Sequence, residues 1–256
     1  MEPRTHPQDQ FAASAGDYVA SPLHAEGPDL AALAEWAAPV RGERALDVAT
    51  GGGHVALALA ALGADVVATD LTPEMLAAAE RHLRGKGFTD VRFQLADAQA
   101  LPFPAASFDL VTCRIAAHHF PALAAFVAEA RRVIRPGGRL LLEDSIVPPG
   151  PAGDFLNALE ALRDPSHVRS LTLDGWWSLL LEGGFDVSRV ATFDKRHDLD
   201  EWMNRMRTPE PARAEIRQRL RAAGPSLRRA FALEYDGENP LAYRDLKALF
   251  LAPAPQ

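Results

Sequence analysis

Between residues 45 and 147, short apolar runs alternate with longer segments in which apolar residues recur every three or four positions. The short runs are typical of strands buried on both faces, and the longer segments are typical of amphipathic helices. Strands are predicted over 45–48, 66–69, 91–95, 108–113 and 139–147, and helices over 29–38, 55–62, 73–84 and 121–134. This alternation predicts a parallel sheet covered by helices on both faces.

The pattern becomes less regular after residue 148, where a proline-rich turn begins. The prediction comprises helices over 155–162, 173–181 and 199–222 with a break at 209–211, a sixth strand over 185–193, and a hairpin of strands 230–235 and 243–252. No internal repeat or low-complexity tract is present, so one domain accounts for the whole chain.

The residues that follow each strand are the first candidates for a site, because open parallel sheets bind ligands beyond the carboxyl ends of their strands. Gly51-Gly52-Gly53 follows the first strand and would let a ligand approach the backbone, since glycine has no Cβ. Gly51-x-Gly53-x-x-Ala56 satisfies the dinucleotide fingerprint, but the loop also suits other adenine nucleosides. A tight turn without a ligand is the plain alternative.

Acidic residues follow the second and third strands. Asp70 stands where a carboxylate can accept hydrogen bonds from both ribose hydroxyls of an adenine nucleoside. Asp97 could accept from an adenine amino group, while the backbone N–H of Ala98 donates to a ring nitrogen. Each carboxylate taken alone is equally typical of a helix cap or a loop.

Arg114 and two adjacent histidines follow the fourth strand. His118 or His119 is a candidate general base, because imidazole titrates near neutral pH. A metal site is disfavoured, since adjacent histidine side chains point apart and no matching ligand set accompanies them. The alternative is that one histidine caps the next helix and the other packs in the core.

Composition narrows these possibilities. The chain has 256 residues, of which 48% are hydrophobic and 24% charged, as in an ordinary globular protein. Its net charge of −7 disfavours nucleic acids and anionic membranes as partners, and its single cysteine, Cys113, excludes a disulfide framework. Without a recognisable signal peptide or a membrane-spanning apolar run, we expect a cytoplasmic protein with no stable membrane insertion.

Seven segments in order resemble the class I S-adenosylmethionine (SAM)-dependent methyltransferases, in the ubiquinone/menaquinone-biosynthesis (UbiE-like) branch of small-molecule methyltransferases. They are 46–54 (LDVATGGGH), 69–76 (TDLTPEML), 96–98 (ADA), 101–103 (LPF), 108–111 (FDLV), 118–120 (HHF) and 135–142 (RPGGRLLL). Ala49 replaces the first glycine of the family's loop. Because Asp47 and Asp97 have no role in the dinucleotide fingerprint, the resemblance argues against an NAD(P)-dependent oxidoreductase, the main alternative.

The resemblance implies a Rossmann-like three-layer α/β sandwich with a seven-stranded, mostly parallel sheet and an antiparallel C-terminal strand. One methyltransferase domain would cover 1–256, with an N-terminal lid over 1–43, a SAM-binding core over 44–147, and substrate-side insertions at 148–172 and 196–228. SAM would be the cofactor and S-adenosylhomocysteine (SAH) its product. The implied cofactor contacts are Asp47, Thr50, Gly51, Gly53, Asp70, Leu71, Asp97, Ala98 and the backbone around Arg114, and the implied lid residues are Tyr18, Ser21 and His24.

The predicted reaction is methylation of an oxygen or carbon of a small molecule, with His118 or His119 removing a proton. The signature [DN]-P-P-[YF], typical of adenine-N6 and glutamine methylation, is absent after the fourth strand. An apolar or aromatic acceptor is expected, because the insertions carry His167 together with Phe155, Trp202, Met203 and Met206. A protein that binds SAM without transferring methyl is a further alternative.

Overall fold

Strands and helices alternate through most of the region that the computed structural model describes, residues 27–256. The strands are β1 (Arg44–Val48), β2 (Asp65–Asp70), β3 (Arg92–Leu95), β4 (Phe108–Arg114), β5 (Ile134–Ile146), β6 (Arg189–Asp198), β7 (Glu234–Asp236) and β8 (Asn239–Pro253). The helices are α1 (Pro28–Ala37), α2 (His54–Ala61), α3 (Pro73–Gly85), α4 (Leu123–Val133), α5 (Pro151–Arg163), α6 (Leu173–Glu182), α7 (Leu199–Arg205), α8 (Glu210–Arg221) and α9 (Pro225–Ala230), and a 3-10 turn covers Ala117–His119.

One sheet organises these elements in the order β3-β2-β1-β4-β5-β8-β6, and the short β7 pairs with β8 outside this path. The first five strands run parallel, whereas β8 lies antiparallel between β5 and β6. The predicted Rossmann-like fold, with a seven-stranded path and an antiparallel C-terminal strand, is therefore confirmed. The carboxyl ends of β1, β2, β4 and β5 meet at one edge of the sheet.

Helices bury apolar side chains on both faces of the sheet. Phe126 of α4 and Trp176 of α6 belong to a core cluster on one face, and Leu33 of α1 and Leu59 of α2 belong to a cluster on the other. A third cluster joins α5, α7 and α8 through the fully buried Trp202 and its neighbours. No helix among residues 27–256 combines the length and the apolar character that crossing a bilayer requires.

Three predicted boundaries are wrong. The first strand of the hairpin is only β7, because α9 occupies 225–230 and Phe231 packs into the third cluster. The sixth strand begins at Arg189, since Phe185 is buried in the core before the strand starts. β5 begins at Ile134 and passes through Gly138, where an added Cβ would lie 2.8 Å from the carbonyl oxygen of Asp109.

Candidate active site

A cavity of about 1070 Å³ lies at the edge of the sheet where β1, β2, β4 and β5 end. Its lining residues between 47 and 99, called here the cofactor half, come from the ends of β1 and β2, the loops after β1, β2 and β3, and the first turns of α2 and α3. Its lining residues between 118 and 247, called here the acceptor half, come from the 3-10 turn, β5, α5, α7, β6 and β8 and their connecting loops.

The loop after β1 follows a glycine-dependent path. Gly51 (φ 55°) and Gly53 (φ 82°) lie in the left-handed region, and a Cβ on Gly53 would lie 2.6 Å from Cδ1 of Leu83. Ala49, which stands where the family has glycine, also has a positive φ of 53°. The loop therefore holds the conformation that favours glycine at all three positions.

Asp47 is buried below this loop and accepts hydrogen bonds from the hydroxyls of Thr50 (2.6 Å) and Thr112 (2.8 Å). Burial raises the pKa of the Asp47 carboxyl to about 6, against the opposing effect of these two hydroxyls. Asp47 therefore ties the loop after β1 to the neighbouring strand β4.

Asp70 accepts backbone hydrogen bonds from Gly51 (3.0 Å) and Thr72 (2.9 Å), which join the ends of β1 and β2. Each oxygen of its carboxylate keeps a lone pair for a further donor. Asp97 accepts two hydrogen bonds from Gln99 at Oδ1, whereas its Oδ2 accepts none from residues 27–256. Leu71 and Ala98 lie on the same wall.

The polar groups of the cofactor half fit SAM better than a dinucleotide. The cofactor half has no lysine or arginine among its described lining residues, and the N–H of Gly51 already donates to Asp70. A pyrophosphate needs such backbone donors or a cation. SAM carries no phosphate and has two positive groups, so the carboxylates of Asp70 and Asp97 are compatible with it.

Arg114, at the end of β4, belongs to a buried charge network. Its guanidinium forms ion pairs with Asp29 (2.5 Å) and Glu143 (2.8 Å). Burial opposes the charged guanidinium, but the two carboxylates raise the pKa of Arg114 above its usual range. Burial also raises the pKa of Glu143 to about 7. The Arg114 side chain therefore couples α1 to β5, while the residue itself lines the cavity between the two halves.

His118 forms a buried pair with Asp144 of β5. Its Nδ1 lies 2.6 Å from Oδ1 of Asp144, and its backbone N–H donates to Oδ2 of the same carboxylate at 2.7 Å. Burial disfavours the charged imidazolium, but Asp144 outweighs burial and raises the pKa of His118 above its ordinary value. A histidine oriented and made more basic by a carboxylate has the arrangement expected of a general base.

His119 and His167 lie beside His118 on the wall of the acceptor half. Burial and the neighbouring His118 lower the pKa of His119 to about 3 and that of His167 to about 4, so both rings are neutral at pH 7. Nδ1 of His119 contacts the hydroxyl of Ser166, and Nε2 of His167 contacts Oδ1 of Asn157. In the part of the chain that the structure describes, no three histidine, cysteine or acidic side chains are placed to hold a metal ion.

The rest of the acceptor half is charged. Glu160, Asp164 and Asp245 line it together with Arg163 and Lys247. Glu160 contacts Arg163 at 3.1 Å, and Lys247 contacts Asp245 at 3.6 Å. Trp202 and Met206 also reach the wall, whereas Met203 is buried in the third cluster.

All the predicted cofactor residues except Gly53, and all three predicted histidines of the described region, lie on this cavity wall. Tyr18, Ser21 and His24 lie outside the described residues. Asp144, Asn157 and Glu160 were not among the predicted site residues. Acidic residues at the end of the apolar strand 139–147 were the available signal for Asp144, because a carboxylate in a buried strand requires a partner.

Comparisons with known proteins identify the family. A family described as "Methyltransferase domain" matches residues 46–142. The uncharacterized methyltransferase YcgJ of Bacillus subtilis is 34% identical over 242 residues, covering 94% of this chain and 96% of that relative. The crystal structure of YcgJ is similar to this structure with a TM-score of 0.85 and 32% identity, covering 89% of this chain and 98% of that one.

A second relative matches only the core. Demethylmenaquinone methyltransferase of Thermus thermophilus is 45% identical over 115 residues, which cover 44% of this chain and 51% of that relative. The chain therefore belongs to the class I SAM-dependent methyltransferases, in their ubiquinone/menaquinone-biosynthesis (UbiE-like) branch.

Proposed function

We propose that this methyltransferase acts on an oxygen or carbon of a small molecule and that His118 accepts the proton that the acceptor loses. The observation that carries the proposal is the buried contact of 2.6 Å between His118 and Asp144 on the wall of the acceptor half. The expectation of an apolar or aromatic acceptor stays a prediction.

The choice of His118 over His119 rests on basicity. Asp144 raises the pKa of His118, whereas burial and His118 itself lower the pKa of His119 to about 3. A base with so low a pKa accepts a proton from a hydroxyl far less readily. His118 is therefore the stronger proton acceptor of the two at neutral pH.

The cofactor half would hold SAM through Asp70 toward the ribose and through Asp97 and Ala98 toward the adenine, as the resemblance implies. When bound, SAM supplies a methyl group already activated on a sulfonium. The chain's own contribution is then to position the acceptor, exclude water from the cavity and receive its proton.

The test measures SAH formation by mass spectrometry with panels of quinols, phenols and carboxylic acids. Replacing His118 by alanine should lower kcat by about 100-fold, the size of a typical general-base contribution, and His119→Ala should lower it less. Because the base must be unprotonated, kcat should rise with pH through the raised pKa of His118. SAH affinity should stay unchanged in both variants, which shows that the cofactor half is intact.

Two outcomes contradict parts of the proposal. Wild-type kcat in His118→Ala would show that His118 is not the base. Binding of SAM without SAH formation from any acceptor class would instead favour a protein that binds the cofactor without transferring methyl.

A further inference from the structure

The two rings of His118 and His167 face the acceptor half with ring centroids 5.5 Å apart. The protonated nitrogen of His118 follows from its partner. The pKa of Asp144 is lowered although burial opposes this, because His118 stabilises the charged carboxylate. A carboxylate only accepts hydrogen bonds, so Nδ1 of His118 carries the proton and Nε2 of the neutral ring has a lone pair.

The protonated nitrogen of His167 follows from Asn157. The side-chain amide of Asn157 donates to the carbonyl oxygens of Gly153 (3.2 Å) and Ser170 (3.1 Å), and its Oδ1 accepts from the N–H of Ser170 (2.7 Å). This orientation makes Oδ1 the acceptor in the contact of 3.0 Å with Nε2 of His167. Nε2 therefore carries the proton, and Nδ1 of the neutral ring has the lone pair.

Neither lone pair is satisfied within residues 27–256. The hydrogen bonds of the two side chains use only Nδ1 of His118 and Nε2 of His167. Both nitrogens are accessible from the cavity, where water can donate to them. An occupant that displaces this water without supplying donors would leave each acceptor unpaired, at a cost of about 1–3 kcal/mol, so the two nitrogens favour an occupant with two donors. An apolar ring alone leaves both of them unpaired.

The surrounding charges favour a neutral occupant. Four carboxylates line the acceptor half, those of Glu160, Asp164, Glu201 and Asp245, against three cations, those of Arg163, Arg205 and Lys247. All three cations have partners within the protein, because Arg163 contacts Glu160, Lys247 donates to the hydroxyl of Ser145 at 2.7 Å, and Arg205 contacts Nδ1 of His197. An anionic acceptor would meet this excess of negative charge without a cation reserved for it.

We propose that the acceptor is a neutral molecule with two neighbouring hydroxyl groups on an aromatic or alicyclic ring. One hydroxyl gives its proton to Nε2 of His118, and the other donates a hydrogen bond to Nδ1 of His167. The deprotonated oxygen forms the new O–C bond with the electron pair of its former O–H bond, and the S–C bond breaks with its pair remaining on sulfur. This assignment rests on the proposed function and specifies its substrate class.

Positional isomers test the spacing of the hydroxyls. Binding is measured by calorimetry on the full chain saturated with SAH, with catechol, resorcinol and hydroquinone as the aromatic set. The cis-1,2- and cis-1,3-cyclohexanediols form the alicyclic set. The 1,2-isomer of the preferred set should bind about tenfold more tightly than its isomers, the effect of one additional hydrogen bond. The set that shows the preference identifies the ring type.

A substitution at His167 tests which nitrogen is used. His167→Gln keeps a side-chain N–H for Oδ1 of Asn157. It replaces the ring nitrogen Nδ1 by an amide oxygen, which does not occupy the position of Nδ1 when the amide N–H donates to Asn157. It should abolish the preference for the 1,2-isomer, a loss of about tenfold, and leave the affinity for phenol and for SAH unchanged. An equal loss of affinity for catechol and for phenol would indicate that His167 has a merely structural role.

The inference is overturned if neither 1,2-isomer binds more tightly than its isomers, or if no diol binds at all. These are binding measurements and need no turnover. A failure of the proposed function, seen as the absence of SAH formation or as full kcat in His118→Ala, is therefore distinguishable from a failure of this inference.

Discussion

The two halves of the cavity are built in different ways. The cofactor half lines the cavity with residues 47–99, and its contacts depend on backbone groups, such as the N–H of Gly51 that donates to Asp70. The acceptor half draws on residues 118–247 and depends on side-chain pairs such as His118 with Asp144. Backbone geometry is set by the fold, whereas side-chain pairs change with single substitutions.

This difference indicates how one fold accommodates different acceptors. A substitution in the acceptor half should change the reaction while SAM binding is retained. A substitution in the glycine loop should disturb folding and SAM binding together, because the loop packs against Ala79 and Leu83 of α3 and also lines the cofactor half. Three substitutions test this separation, beginning with the largest expected effect.

Asp144→Asn removes the charge that raises the pKa of His118. The pKa of His118 should then fall, so the rise of kcat with pH should move to lower pH. The imidazolium formed in the reaction loses its carboxylate partner, and kcat at its new plateau should fall by about 100-fold. A pH–rate profile and an NMR titration of the His118 ring measure the two effects independently.

The same variant also tests whether the two halves are separable. SAH affinity should stay within about twofold of wild type, since a change of that size is under 0.5 kcal/mol. A loss of SAH binding as large as the loss of kcat would show that the two halves are not separable. An unchanged pKa of His118 would show that Asp144 does not determine its basicity.

Gly53→Ala places a Cβ 2.6 Å from Leu83 and 3.1 Å from Ala79, at a φ of 82°. Backbone strain and overpacking together should lower the free energy of unfolding by about 2 kcal/mol, and SAH affinity should fall with it. Gly87→Ala is the matched control, because Gly87 also has a positive φ (90°) but no atom lies within 4 Å of its Cβ position. Chemical denaturation of both variants separates strain from crowding, and equal losses would contradict the packing argument.

The cofactor half could be predicted because its signals are local. A strand followed at once by glycines or by an acid marks the loops of Gly51, Asp70 and Asp97, and all three residues lie on the cavity wall. Arg114 was predicted to lie near the cofactor for the same reason, because it follows the fourth strand. Its ion pairs with Asp29 and Glu143 join residues that are distant in the sequence, so the pattern gave no sign of them.

The acceptor half could be predicted only in part. His118 and His119 stand out as adjacent histidines, but the partner of His118 depends on how β5 lies beside β4. Asn157 sits on α5 and reaches His167 in the following loop, a contact that helical periodicity does not predict. The predicted hairpin strand 230–235 is likewise shortened to β7, because α9 extends to Ala230 and burial of Phe231 outweighs local strand propensity.

Ala49→Gly has the smallest expected effect and tests whether the loop after β1 needs a glycine at position 49. Ala49 already has the left-handed φ of 53°, which costs a non-glycine residue about 1 kcal/mol. Glycine removes this strain but adds unfolded-state entropy, so the free energy of unfolding should rise by less than about 1 kcal/mol. Ala106→Gly is the matched control, since Ala106 has a φ of 51° on an exposed turn away from the cavity. Similar gains in the free energy of unfolding in both variants, with SAH affinity unchanged, would show that the loop adopts the family's conformation without the family's glycine. Destabilisation by Ala49→Gly alone would show that the methyl group of Ala49 contributes to packing.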